Sequence, residues 1–219
     1  MGARSAARGH PGLRALRQRP VINRRSGNKI DKTPTKPHVW LVSTIRFAYD
    51  KDRASHATRW LLARHAGKLD RLKLVKLIFL ADRLHLSKYG RPIVGGSYSA
   101  MPHGPVASPF LNALNDGSID GIAVDGPTTV LAKLPADEDF LSESDIEVLT
   151  AINAEFGAKD AWGLRNMTHE LEAWKKNYPG NNSSAALPYE DFFMDLDPTF
   201  REILEVIKDD QEAAEILGA

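Results

Sequence analysis

Between Leu72 and Leu86 the chain sets Leu72, Val75, Leu77, Ile78, Phe79, Leu80 and Leu84 around more than one side of a helix, and breaks the run with Lys73, Lys76, Asp82, Arg83 and His85. A helix apolar over that much of its circumference must be surrounded by protein, so the fold has to be built around it. Asp70 is a plausible N-cap and Gly90 a plausible C-cap, which gives a helix ending near Tyr89. Lys73 and Lys76 fall on its remaining polar strip, where a solvated face is the expectation. The charges also keep the run far short of the 18 or so apolar residues of a membrane span, and none is expected.

Other elements arrange themselves around this helix. Ala54, Ala57, Trp60 and Leu61 predict a helix over 53–66, with Gly67 free to adopt a left-handed stop. Gly90-Arg91-Pro92 and Gly95-Gly96 leave room for a short extended piece over 98–101. Ser108-Pro109 reads as N-cap and first helical residue of a helix to about Asn115. Ile122, Val124, Val130 and Leu134 around Asp125-Gly126 predict a hairpin. Ser142 with Asp145 three residues on starts a helix closed by Gly157. A short helix over 158–165 then precedes Thr168, read as the N-cap of a helix over 169–177. Tyr189–Met194 suggests a helical turn, and Asp197-Pro198 opens an amphipathic helix over about 198–217. The fold class is therefore mainly α (α+β): about six helices with one small antiparallel sheet between the third and fourth.

Charge divides the chain unevenly. Residues 1–38 hold ten Lys and Arg, from Arg4 to Lys36, against Asp31 alone, although the whole chain has a net charge of only +1. Four prolines, no aromatic residue and no sustained apolar period predict a disordered basic arm, followed by an acidic single domain over 39–219. The arm fits a tail for nucleic acid or an acidic partner, an Arg-rich targeting peptide, or an extension without a role. The absence of cysteine excludes disulfides, thiolate metal sites and cysteine nucleophiles, and permits a reducing compartment.

Catalytic signatures are scarce. The sequence has no Gly-rich phosphate loop before a helix, no His-Glu-x-x-His and no Gly-x-Ser-x-Gly. His85, His103 and His169, with Asp82 and Glu170, are the residues from which a hydrolase or metal site could be assembled. They lack a short metal-ligand spacing, and structural hydrogen bonding is the stronger reading. An enzyme built on His103, His169 and Asp82 would need the three to converge around a cleft. No metal or other cofactor is expected.

The stretch Tyr98-Ser-Ala-Met-Pro-His-Gly-Pro-Val-Ala-Ser-Pro-Phe110 is a stiff corner, because Pro102 and Pro105 restrict the residues before them and Gly104 tolerates backbone angles closed to others. Tyr98 and Met101 would be adaptable contacts if exposed, and can equally face the core. His103 is expected to bond within the scaffold.

Taken in order, Leu72-Lys-Leu-Val-Lys76-Leu-Ile-Phe-Leu-Ala-Asp82-Arg83, Tyr89-Gly90-Arg-Pro92-Ile93, Tyr98-x-Ala-Met101-Pro-His103-Gly104-Pro105-Val106, Leu141-Ser142 and Thr168-His169 with Trp174 form a set that resembles the Panacea domain, the SocA-like antitoxin family, over about 55–174. The chain departs from that pattern at Gly95-Gly96-Ser97, where a glycine followed by an acid is commoner. The resemblance implies a non-enzymatic bacterial or phage protein of the cytoplasm that neutralises a cognate toxin encoded beside it, in some members by delivering the toxin to a protease. Family toxins include ones that modify tRNA and stop translation. The motif residues Lys76, Asp82, Arg83, Tyr89, Gly90, Pro92, Tyr98, Met101, His103, Gly104, Pro105, Val106, Thr168, His169 and Trp174 are then expected to be mostly scaffold, some of them facing the toxin. Nucleic acid would be a partner only through the basic arm.

Overall fold

The computed structural model describes residues 45–217, so the expected basic arm lies outside the described residues. At the centre is the long helix that the apolar run demands. In chain order the elements are α1 Lys51–Ala63, β1 Lys68–Asp70, α2 Arg71–Tyr89, β2 Tyr98–Met101, β3 Gly104–Ala107, α3 Ser108–Asp116, β4 Ile122–Asp125, β5 Thr129–Ala132, α4 Glu143–Phe156, α5 Ala161–His169, α6 Glu172–Asn177, β6 Ala185–Ala186 and α7 Arg201–Leu217. Single 3-10 turns cover Glu138–Phe140, Tyr189–Phe193 and Pro198–Phe200.

Helix α2 packs on α4, α5 and β3, and its residues from Leu74 to Ser87 are buried on every side. Its ends follow the sequence signals. The Asp70 carboxylate accepts the Lys73 N–H at 3.1 Å, and Gly90 takes the left-handed conformation (φ 73°) with its N–H on the Leu86 carbonyl at 2.9 Å. Ser142 and Asp145 form a reciprocal capping box at the start of α4.

The expectation of one small sheet is corrected. Among the described residues there are two three-stranded antiparallel sheets, β1-β5-β4 and β3-β2-β6. The second arises from the proline corner, which is a hairpin turning at Pro102-His103 and pairing Met101 with Gly104 and Ala100 with Pro105. Prolines hide the hairpin in the sequence, but β3 is an edge strand, where a missing N–H breaks no ladder. Two predicted caps also move. Ala107, not Ser108, is the N-cap of α3, so Pro109 sits at the second helical position and the Ser108 hydroxyl bonds that of Ser99 at 2.8 Å. Thr168 caps nothing; it lies in the last turn of α5, whose N-cap is Asp160, and donates to the Arg165 carbonyl at 2.9 Å.

The C-terminal segment closes the core. Arg83 donates from Nε to the Phe192 carbonyl at 2.9 Å and from a terminal nitrogen to Asp195 at 3.3 Å. Phe79, Tyr98, Tyr189 and Phe192 stack edge to face, as with Tyr98–Phe192 at 4.9 Å and Phe79–Phe192 at 5.4 Å. Helix α7 lays Ile207 into the core, and Gln211 bonds both backbone groups of Arg46.

Candidate functional site

A helix buried on all sides has to satisfy its charged residues internally, and α2 does so one at a time. The Asp82 carboxylate accepts the N–H groups of Ile93 and Val94 at 2.8 and 2.9 Å and the hydroxyl of Tyr98, which fastens the loop after Pro92 to the helix. Burial pushes this carboxyl up to about 7, against those hydrogen bonds. His85 bonds the Arg91 carbonyl at 2.7 Å through Nδ1, and Ser144 and Asp145 at 3.0 Å through Nε2. Tyr89 leans on His85 and donates to Glu147 at 2.6 Å. Burial lowers Arg83 to about 10, with Asp195 opposing the shift.

Lys76 corrects the solvated-strip expectation. It is 1% exposed, and its Nζ donates to the Pro105 carbonyl at 2.7 Å. The hairpin comes this close because residue 104 is glycine: at φ +93° an added Cβ would lie 2.8 Å from the Thr168 hydroxyl and 2.9 Å from Lys76 Nζ. Burial, with Arg165 nearby, lowers the Lys76 amine to about 7. Lys73 reaches the Gly157 carbonyl at 2.6 Å, and burial lowers its pKa too.

The three residues required by the enzyme reading are not assembled. Asp82 is engaged with the Ile93–Tyr98 segment. His103 stands exposed at the hairpin turn, with no hydrogen bond among the described residues and only an edge contact to Trp162 at 6.0 Å, so it does not bond within the scaffold as expected. His169 stacks on Trp174 at 3.8 Å, and Trp174 donates from Nε1 to the Met101 carbonyl at 2.9 Å. Burial, then Arg165, Lys76 and His103, lowers His169 to about 4. Among the described residues no group of His, Asp and Glu could hold a metal ion.

What the hairpin does form is one wall of a cavity of about 400 Å³. Leu72, Val75 and Lys76 of α2, Met101, Gly104 and Val106 of the hairpin, Leu111 of α3 and Trp162 of α5 line it. A second concavity of about 570 Å³ shares Asp70, Thr128, Ala161 and Trp162 with it and adds His65, Lys68, Lys73 and Asp160. Trp162 thus stands on the wall common to both, 59% exposed. The two acids of this face are occupied as helix caps, Asp70 on Lys73 N–H and Asp160 on Gly163 N–H at 2.6 Å. Lys68 and Arg71 have no ion pair among the described residues. The face is therefore apolar with a mixed rim, in which Lys68, Arg71 and Lys73 stand beside the Asp70 and Asp160 carboxylates.

Sequence reasoning did not single out Trp162. Its exposure emerges only in the fold, where the buried residues of α5 are Leu164 and Thr168, four apart, and Trp162 falls outside that stripe.

Residues 74–175, just under half of the chain, match the family model described as Antitoxin SocA-like, Panacea domain. No curated protein and no solved structure matches the chain.

Proposed function

We propose, from the premise that residues 74–175 are a SocA-like Panacea domain, that the protein is a cytoplasmic antitoxin that neutralises a toxin by direct binding, and that the toxin seats on the Trp162 face. The observation that carries the choice of face is Trp162 itself, a large aromatic 59% exposed on the wall between two concavities. Buried tryptophans dominate the energetics of protein interfaces when a partner desolvates them, and a concave surround supplies the water-excluding rim. On the rim Lys68, Arg71 and Lys73 outnumber Asp70 and Asp160, which favours a toxin surface that offers acidic groups to those cations. In this reading the motif residues Asp82, Arg83, Tyr89, Gly90, Pro92, Tyr98, Thr168 and Trp174 are scaffold, and Met101, His103 and Gly104 shape the rim.

The test is co-expression with the neighbouring gene. Growth arrest by the neighbour alone, relieved by the wild-type protein, is the expected result. Trp162→Ala should weaken binding by about thirtyfold or more and abolish relief, with thermal stability unchanged. Val206→Ala on α7, also an exposed apolar residue, should neutralise normally. Full relief by Trp162→Ala would remove this face from the reading, and a harmless neighbour, or one still toxic beside the wild-type protein, would remove the antitoxin function.

A further inference from the structure

Lys76 presents an anomaly that the docking reading leaves unexplained. A fully buried amine is normally balanced by a carboxylate, because an isolated ammonium in the interior is costly. Among the described residues Lys76 has no ion pair; its hydrogen-bond partner is the neutral Pro105 carbonyl, and a lysine ammonium offers three donors. The charged neighbour it feels is another cation, Arg165, and His169 beyond it feels Lys76, Arg165 and His103 together. Nε of Arg165 and Nε2 of His169 are also buried without a hydrogen-bond partner. The carboxylate of the same cavity lining, Asp70, is committed to the cap of α2.

Below about pH 7, where the amine keeps its proton, this positive corner is unbalanced, and it adjoins space. Lys76 lines the 400 Å³ cavity, and Gly104, against which its Nζ rests, lines it as well. The remaining wall is mostly apolar, with Leu72, Val75, Met101, Val106 and Leu111. A cavity of this size, mostly apolar with a few polar groups in its wall, has the dimensions and character of a site for a small organic molecule.

We infer that the cavity between α2, α3 and the β2–β3 hairpin binds a small organic acid, with its apolar stem among Leu72, Val75 and Leu111 and its carboxylate drawn to Lys76. A carboxylate supplies the missing countercharge and accepts a hydrogen bond in which both partners are ionised, whereas a neutral hydroxyl of the same size accepts the bond without the countercharge and an ammonium does neither. Gly104 is what allows it, since a side chain there would occupy the space next to the amine. The inference does not depend on the identity of a toxin, or on there being one.

The experiment titrates the full-length protein at about pH 6, where the amine is protonated and the acid ionised, with 4-phenylbutanoate, 4-phenylbutanol and 4-phenylbutylamine by calorimetry, following backbone amide shifts in parallel. The acid should bind at least about tenfold more tightly than the alcohol and the amine, as one charge-assisted hydrogen bond warrants. Lys76→Met keeps the stem of the side chain and should reduce that preference to within about twofold without abolishing binding of the alcohol. Leu111→Trp, which fills the cavity from α3, should weaken all three while amide shifts away from the cavity stay in place. Equal binding of acid and alcohol by the wild type, an unchanged acid preference in Lys76→Met, or no binding of any of the three would each overturn the inference.

Discussion

Replacing Lys76 by methionine isolates what a buried amine does to this fold. The substitution keeps an unbranched side chain of similar volume, so packing changes little, and it removes the bond to Pro105, whose carbonyl then lies buried at a loss of about 1 kcal/mol. It also removes a titration. An unfolded lysine holds its proton up to its ordinary value of 10.5, whereas the folded amine releases it near 7. Between those limits the unfolded state binds more protons, so the wild type gains stability as pH rises, and the gain is lost as pH falls through about 7. At about 1.4 kcal/mol per pH unit, the interval sets a ceiling on the order of 5 kcal/mol. Urea denaturation of both proteins from pH 7 to pH 10 reads this directly, because all other groups titrate alike in the pair. The stability difference, wild type minus Lys76→Met, should become more favourable to the wild type by about 1 kcal/mol per unit. A difference that stays flat over that range would refute the claim that the folded amine is depressed by burial.

Asp82, Gly104 and Ser142 give further expected outcomes. Asp82→Ala leaves two N–H groups and the Tyr98 hydroxyl unanswered and should lose about 4 kcal/mol in urea denaturation, whereas Asp82→Asn keeps an acceptor and should lose far less. Because the folded Asp82 carboxyl is raised to about 7, its contribution is present below about 4 and lost as pH rises through 7, so the Asn variant should compare best with the wild type at pH 8. Gly104→Ala meets both a positive φ and the Lys76 and Thr168 side chains, and should lower stability by about 2 kcal/mol or more. Ser142→Ala breaks one half of the α4 capping box and should cost about 1 kcal/mol, seen as a drop of a few degrees in Tm.

The features legible in the sequence are those whose causes are local. Asp70, Gly90 and the Ser142–Asp145 box act on backbone groups within a turn of themselves, and each is where the sequence predicts. Lys76 and Thr168 were misread because their surroundings come from elsewhere: the lysine is covered by a hairpin 29 residues away, and the threonine lies inside a helix that Asp160 starts. The hairpin was obscured by Pro102 and Pro105, residues that weaken a strand assignment unless the strand is known to be an edge. On the candidate face, the sequence shows the 98–110 stretch as a stiff corner but does not single out Trp162, whose place depends on the two concavities meeting at it.

Arg83 and the ring cluster of Phe79, Tyr98, Tyr189 and Phe192 bear on where this protein can be cut. The family match ends at residue 175, yet the carbonyl that receives Arg83 belongs to Phe192, and two of the four rings come from the same later turn. A fragment trimmed to the matched segment would carry a guanidinium in its centre with nothing to accept it, and would open Phe79 and Tyr98 to water. The segment needed to close this core extends beyond the segment that matches the family model.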